Sequence, residues 1–208
     1  MKLFLISPPH SVADEVPLVN EMLDLGLARF HVRKPTWSPA EIAAYVAGIP
    51  ARHRARLVLH SHPSLVAELG LGGMHLTASS RAALATGPPR LRPGQTLSTS
   101  FHTLAEITHH RRRYDYVFLS PIFDSLSKAQ YAAAFDLREV AAVLGRLPGR
   151  AVYVPQVMAL GGIEGYRLAS VRQAGFAGAA VLGAVWQSSD PIAAFRNLQS
   201  IIGQAVTQ

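Results

Sequence analysis

The stretch Tyr116-Val-Phe-Leu-Ser-Pro-Ile-Phe-Asp-Ser-Leu-Ser-Lys128 decides how the fold of this 208-residue chain is interpreted. It begins as a short apolar run, typical of a buried strand, and ends in serine hydroxyls and one lysine ammonium. Each of these groups can replace water around an anion, so the loop predicts a phosphate-binding pocket. The alternative is a surface turn built from small polar residues.

Outward from this stretch, the same kind of apolar run recurs along the chain, with segments of helical spacing between most runs. The predicted strands are Leu3–Ile6, Ala28–Val32, Arg56–Leu59, Gly73–Leu76, Thr96–Ser98, Tyr116–Leu119, Ala151–Val157 and Gly178–Leu182. The predicted helices are Val12–Leu25, Pro39–Ala47, Leu65–Leu69, Leu104–His110, Asp136–Leu144, Tyr166–Ala174 and Pro191–Ile202, with a short one at Ser79–Ala85. Alternation of this kind predicts an α/β fold, a (β/α)₈ TIM barrel, with an open doubly wound sheet as the alternative.

Composition narrows the class of protein. With 49% hydrophobic residues in 208, the chain can bury a substantial core, and we expect a single domain over residues 1–208. The net charge of +7 favours anionic partners, but the basic residues are scattered, so we expect no nucleic-acid surface.

The absence of cysteine excludes disulfides and thiolate metal sites. No apolar run is long enough for a signal or a membrane span, which predicts a cytoplasmic protein.

Candidate site residues collect just past the predicted strands, where barrels carry their active sites. In Arg29-Phe-His-Val-Arg33, alternation puts His31 and Arg33 on one side and the apolar residues on the other. The planar guanidinium of Arg33 suits a phosphate group. The alternative is an arginine that pairs with a surface carboxylate.

Several histidines also lie at or near strand ends. Imidazole titrates near neutrality, so His31 and His60 are candidates for proton transfer. We interpret His75 as a core histidine with a satisfied hydrogen bond, and His62 as the start of a helix. The histidine spacing matches no metal motif and no carboxylate accompanies it, so the sequence does not predict a zinc site.

Glycines follow the last two predicted strands, in Ala159-Leu-Gly-Gly-Ile163 and Val181-Leu-Gly-Ala184. Glycine lets backbone amides approach a ligand closely, and the loops after strands seven and eight are the common phosphate site of barrels. Gly161, Gly162, Leu182 and Gly183 are therefore candidate phosphate-binding residues. A purely structural turn is the alternative.

Taken in order, these motifs resemble the thiamine phosphate synthase and TenI family over nearly the whole chain. The most specific piece is Pro121-Ile-Phe-Asp-Ser-Leu-Ser-Lys128, and Leu160-Gly-Gly-Ile163 is a second. The resemblance implies a (β/α)₈ barrel. It also implies an enzyme of thiamine biosynthesis, because the synthases join a thiazole phosphate to a hydroxymethylpyrimidine diphosphate and release diphosphate with Mg²⁺.

The resemblance also assigns roles to residues. Arg33, Ser100 and Lys128 would hold the pyrimidine diphosphate, with Lys34 as a further substrate contact. The thiazole phosphate would be held by Ser125, Ser127, Gly161, Gly162 and Gly183, with Leu182 beside them. Arg33, Lys128, His31 and His60 are the catalytic candidates. Charge builds on the leaving diphosphate as its carbon–oxygen bond stretches, so cations near it lower the barrier.

The chain departs from the synthase pattern in two places. Synthases carry Gln-x-Arg-x-Lys where this chain has His31-Val-Arg-Lys-Pro35, and Asn-Asp where it has His60-Ser61. The carboxylates expected at Ser61 and near Ser80 are missing, so Mg²⁺ is implied without its usual ligands.

Three alternatives to the synthase stay open. One is a TenI-like thiazole tautomerase, although the histidine that this branch uses falls at Pro121. The others are an enzyme for a different phosphosugar or heterocycle reaction and a protein that binds thiazole or thiamine phosphate without turnover. A homodimer is compatible with each of these interpretations.

Overall fold

A computed structural model describes residues 1–83, 91–124, 135–149 and 153–204. Eight strands form a closed barrel in sequence order, and the six strand pairs whose register is given by the described residues run parallel. The prediction of a (β/α)₈ barrel is therefore confirmed, and the open doubly wound sheet is excluded. The strands are β1 (Lys2–Ile6), β2 (Arg29–Val32), β3 (Leu57–Leu59), β4 (Gly73–Leu76), β5 (Thr96–Phe101), β6 (Tyr116–Leu119), β7 (Gln156–Leu160) and β8 (Gly178–Val181).

Helices connect the strands, as parallel pairing requires. They are α1 (Glu15–Asp24), α2 (Pro39–Ala47), α3 (Ala51–Arg54), α4 (Pro63–Glu68), α5 (Ala78–Ala83), α6 (Leu104–His109), α7 (Leu137–Arg146), α8 (Leu168–Gln173), α9 (Gly183–Trp186) and α10 (Pro191–Gly203). One 3₁₀ turn, Leu147–Gly149, follows α7, and another, Gly165–Arg167, precedes α8.

Contacts divide the chain into two compact units, Phe4–Thr99 and Met1–Leu3 with Ser100–Gln208. The first unit holds β2 to β4 and most of β1 and β5. His31 is in register with Val58, and His75 is in register with Ser98. Its strands are almost wholly buried and rich in leucine, valine and phenylalanine, as strands covered on both faces should be. The prediction of one domain over residues 1–208 stays a prediction.

The unit that contains Ser100–Gln208 holds β6, β7 and β8. Tyr116 is in register with Gln156, and Met158 with Gly178. Beyond the ladder, Ile122 N–H donates to Leu160 O at 3.0 Å and Phe123 N–H donates to Gly161 O at 3.2 Å. The loop after β6 is therefore held against the loop after β7, within this unit.

Local sequence explains where several helices begin. The side chain of Ser38 accepts a hydrogen bond from the backbone N–H of Glu41, and the side chain of Thr103 accepts one from Glu106. In return, each glutamate side chain accepts a hydrogen bond from the backbone N–H of its cap residue. These capping boxes satisfy amides that the first helical turn leaves free. His62, predicted to open a helix, precedes α4 with φ 52°.

Two strands differ from their predicted bounds by more than one residue. β5 extends to Phe101, because Ser120 N–H bonds Phe101 O at 3.1 Å and so continues the ladder. β7 begins at Gln156 rather than in the valine-rich run before it. Within the described residues, no helix is both long and apolar enough to cross a membrane.

Candidate functional site

Arg33 lies just past β2, as predicted, and its side chain is exposed. Its backbone N–H donates to Ser7 Oγ at 2.8 Å, and Ser7 N–H bonds His31 O at 2.9 Å. The fully buried Ser7 therefore fixes the backbone from which the guanidinium extends. A charged group that is exposed at a strand end is free to meet an anion.

Three histidines meet inside the Phe4–Thr99 unit. His31 Nδ1 lies 3.0 Å from His60 Nε2, and the rings of His60 and His75 stack with centroids 4.2 Å apart. His31 and His75 are buried, whereas His60 keeps some exposed surface. We call His31, His60 and His75 the histidine cluster. The two proton-transfer candidates, His31 and His60, are thus brought together.

The histidine cluster is held in the neutral form. Burial lowers the pKa of His31 and of His60 well below the usual value, and each histidine's neighbours in the cluster lower it further. Burial, with the positive charges of Arg33 and Arg81, lowers the pKa of His75 to about 3. A neutral imidazole both donates and accepts a hydrogen bond, which suits proton transfer or metal ligation.

The prediction that His75 is a satisfied core histidine is confirmed, since it is buried and lies 2.9 Å from Ser98 Oγ through Nδ1. Its place beside His31 and His60 was missed. One signal could have found it: His31 and His75 are each the third residue of a four-residue strand. Equal positions on strands facing the same interior put the two side chains at a similar level.

The predicted phosphate contact of Lys34 does not fit the surroundings of this residue. Its side chain is fully buried, and Nζ lies 2.6 Å from Glu15 Oε2 in an ion pair and donates to His10 O at 2.8 Å. Tyr45 donates its hydroxyl hydrogen to Glu15 Oε1 at 2.9 Å. Because these partners hold the buried ammonium, Lys34 is not placed to bind a phosphate.

The two positions where the resemblance implies carboxylates carry serine hydroxyls. Ser61 Oγ is buried and has no hydrogen-bond partner among the described residues. Ser80 Oγ donates to Thr77 O at 3.1 Å at the start of α5. Hydroxyls with these surroundings do not fit Mg²⁺, which prefers charged oxygen ligands.

Gly161 and Gly162 form the loop after β7, with φ of 96° and 59°. Both values fall in the left-handed region, which glycine occupies without strain. A Cβ at Gly161 would lie 2.8 Å from Pro121 Cα, and one at Gly162 would lie 2.5 Å from Asp124 O. Glycine is therefore required here both by backbone conformation and by the loop after β6.

Arg167 closes this glycine loop and was not singled out from the sequence. Its Nη1 donates to Gly162 O at 2.6 Å and to Asp124 O at 3.3 Å, and the guanidinium lies 4.7 Å from the Phe123 ring centroid. The arginine therefore ties the ends of the two loops. A lone arginine in a helical segment carries no sequence signal for such a role.

The other predicted residues fall as follows. Gly183 begins the short helix α9 directly after β8, and Leu182 is its N-cap. Ser100 lies within β5 rather than past it, because that strand is longer than predicted. Ser125, Ser127 and Lys128 lie outside the described residues, so their roles stay predictions.

Comparison with known proteins agrees with this architecture. The chain matches the family described as thiamine monophosphate synthase over residues 3–185. It is similar to the thiamine-phosphate synthase of Bacteroides fragilis, with 23% identity over 185 residues, 86% of this chain and 89% of that protein. The thiamine-phosphate synthase of Lysinibacillus sphaericus shares 28% identity, with 97% of both chains covered.

Solved structures extend the comparison. The chain is similar to a thiamine phosphate pyrophosphorylase from Bacteroides thetaiotaomicron, with a TM-score of 0.78, 27% identity, and 97% and 98% of the two chains covered. A second pyrophosphorylase, from Pyrococcus furiosus, has a TM-score of 0.69 at 21% identity, over 97% of this chain and 95% of that one. At that identity the second likeness concerns the fold alone.

Proposed function

This chain belongs to the thiamine monophosphate synthase family, and from that membership we propose that it is a transferase of thiamine biosynthesis. The reaction joins the methylene carbon on the pyrimidine ring to the ring nitrogen of a thiazole phosphate, while the bond from that carbon to the diphosphate oxygen breaks and diphosphate leaves. The observation that carries the proposal is the family match over residues 3–185. The synthase and pyrophosphorylase named among its relatives support the same activity.

We propose that Arg33 stabilises the leaving diphosphate. Its exposed guanidinium offers paired N–H donors that match phosphate oxygens, and Ser7 fixes its backbone. Charge that develops on the departing oxygen is stabilised most by cations already in place. Lys128 has the same proposed role, and Ser100 is a proposed neutral donor.

The thiazole phosphate is proposed to bind at the loops after β7 and β8. Gly161 and Gly162 have left-handed conformations that bring backbone amides close to a ligand, and Arg167 holds this loop through Gly162 O. Gly183 starts α9 immediately after β8, the arrangement with which barrels commonly bind phosphate. Ser125 and Ser127 complete the proposed donor set.

The test is incubation of the protein with both phosphorylated substrates and Mg²⁺, with thiamine phosphate as the measured product. Arg33→Ala and Lys128→Ala should each weaken diphosphate binding by about 1.5–3 kcal/mol, on the order of tenfold to a hundredfold. Arg52→Ala is the matched control, because Arg52 is exposed and pairs with Asp24. Full activity of both variants would contradict the assigned roles.

A TenI-like tautomerase is the second candidate, and one observation favours it. His31 and His60 form a direct 3.0 Å hydrogen bond, as a proton relay requires. This enzyme would change the ultraviolet spectrum of a thiazole carboxylate phosphate alone and would form no coupled product. Saturable ligand binding without product in either assay would instead indicate a binding protein.

A further inference from the structure

The histidine cluster brings three potential metal ligands together. One ligating nitrogen from each of His31, His60 and His75 lies within 4.8 Å of the other two. In the described part of the chain, no other set of three or more histidine, aspartate or glutamate side chains is grouped in this way. All three residues belong to the Phe4–Thr99 unit.

Adjacent strands hold the three rings in place. His31 is in β2 and His75 is in β4, while His60 follows β3 and bonds Val32 O through its amide at 3.2 Å. Side chains on rigid strands lose little freedom when they bind a ligand, which favours binding. The edge-on packing of His31 against both other rings, with centroids 5.2 and 5.6 Å away, keeps them in contact.

An outer hydrogen bond fixes one of the rings. Ser98 Oγ donates to Met74 O at 3.4 Å, so it accepts from His75 Nδ1–H at 2.9 Å. The other nitrogen of His75, Nε2, then carries the lone pair. Metal-binding histidines are commonly oriented by such a bond from the second ring nitrogen.

The donor set selects the class of metal. Imidazole nitrogens suit Zn²⁺, Co²⁺, Ni²⁺ and Cu²⁺, whereas Mg²⁺ requires oxygen ligands. Three protein ligands leave a fourth position open, as in catalytic zinc sites. The nitrogens of a tetrahedral site lie roughly 3.3 Å apart, so the 3.0 Å spacing of His31 and His60 is already close to what is needed.

We propose that His31, His60 and His75 bind one transition-metal ion of the Zn²⁺ class. On binding, the proton shared between His31 and His60 moves to the outer nitrogen of its ring, so both facing nitrogens become ligands. The site goes beyond the proposed synthase function and does not depend on it. It also differs in kind from the Mg²⁺ that the family resemblance implies.

Two arginines bear on the choice of fourth ligand, since Arg33 lies two residues past His31 at the end of β2 and Arg81 lies on α5, which follows β4. The charges of Arg33 and Arg81 act on His75, and that of Arg33 acts on His60. A dication in the cluster would meet these like charges, so an anion is favoured at the open position. Inorganic phosphate is a simple probe for this position.

The experiment is titration of the chelator-treated full chain with Co²⁺, followed by visible absorption and calorimetry. We expect one Co²⁺ per chain with the intense bands of a four-coordinate ion, competition by Zn²⁺, and none by equimolar Mg²⁺. His60→Gln and His75→Gln should weaken binding at least about a hundredfold, because even outer partners contribute about 10- to 100-fold. The matched control, His109→Gln, changes an exposed histidine on α6 and should bind normally.

A milder variant tests the site without removing any of the three ligands, so that loss of binding cannot be attributed to misfolding. Ser98→Ala removes only the outer hydrogen bond and should weaken Co²⁺ binding about 10- to 100-fold with the fold intact by circular dichroism. Absence of stoichiometric Co²⁺ binding by the unaltered chain, or equal binding by the cluster variants and the control, would overturn the site. Phosphate should shift the Co²⁺ spectrum, and an unchanged spectrum would overturn the anionic fourth ligand.

Discussion

Two buried polar clusters in the Phe4–Thr99 unit differ in how their charges are compensated. The first, the Lys34 cluster, consists of Lys34, Glu15 and Tyr45. It joins opposite charges 2.6 Å apart and adds a tyrosine hydrogen bond. The second is the histidine cluster, which contains no carboxylate and lies within reach of arginine charges.

The difference separates a structural role from a functional one. Lys34 Nζ donates hydrogen bonds to Glu15 and to His10 O, and it lies over the face of Trp37, 4.9 Å from the ring centroid. Little capacity therefore remains for binding a ligand. Burial lowers the pKa values of the three histidines and keeps their rings neutral, and a neutral imidazole can both donate and accept a hydrogen bond. The buried ion pair therefore stabilises the fold, whereas the grouped neutral imidazoles offer the nitrogen donors that a transition metal prefers.

The largest effect is expected when the Lys34 cluster loses its anion. Glu15→Gln leaves the Lys34 ammonium buried without its countercharge, which should lower the free energy of unfolding by about 3–5 kcal/mol. Urea denaturation measures this loss. The double variant with Glu15→Gln and Lys34→Met removes both charges and should recover much of the stability. A loss below about 1 kcal/mol in the single variant would contradict a buried ion pair.

The next largest effect is expected at acid pH, where the histidine cluster should make the folded chain less stable. Unfolding returns His75 to a pKa near 6.5, whereas its folded pKa is about 3, so between these values only the unfolded chain takes up the proton. Stability is therefore lost as the pH falls from 6.5 towards 3, by about 1.4 kcal/mol per pH unit for one histidine. Urea unfolding at several pH values measures the slope.

The variant His75→Gln is the control for this slope. It removes one titrating group, so its stability should depend less on pH in this range, whatever its absolute stability. Identical slopes for the variant and the unaltered chain would show that His75 does not remain neutral in the folded protein.

Tyr45→Phe tests the Lys34 cluster more gently. It removes the hydrogen bond that the buried Glu15 Oε1 accepts, and a bond to a charged group contributes about 1.5–3 kcal/mol. Burial and the charge of Glu15 raise the pKa of Tyr45, so the hydroxyl keeps its proton at working pH. Thermal unfolding at neutral pH would measure the loss, and an unchanged midpoint would argue against this bond.

Ser38→Ala gives the exposed reference for both clusters. It removes the hydroxyl that caps α2, in a setting open to water, and should cost about 1 kcal/mol. Ser38→Gly should lower the free energy of unfolding by only about a few tenths of a kcal/mol, since glycine is tolerated at the position before a helix. If Ser38→Ala cost as much as Glu15→Gln, burial would not explain the difference between the clusters.

Much of the fold could be predicted because its signals are local. Gly73-Met-His-Leu76 and Tyr116-Val-Phe-Leu119 were predicted with the bounds observed, since each is a short apolar run between breakers. β7 was placed too early, because the valines before Gln156 have the same local preference as the strand. Strand ends depend on the neighbouring strand, which a single run does not reveal.

The candidate site was predictable only in part. Arg33, Gly161 and Gly162 are recognisable because each follows a strand and has a residue type suited to phosphate. The buried ion pair of Lys34 could not be predicted, since its partner Glu15 lies on α1 and only tertiary packing brings the two residues together. Arg167 was missed for the same reason, because its partners are backbone oxygens of two loops.

By itself, the sequence determined the alternation of strands and helices and the chemistry at the strand ends, because hydrophobic period, caps and glycines act over a few residues. Only the tertiary structure decided that Lys34 is paired internally and that His31, His60 and His75 share one interior. Those outcomes depend on which strands become neighbours. Strand neighbours set distances between side chains that are remote in the chain, and no local pattern encodes them.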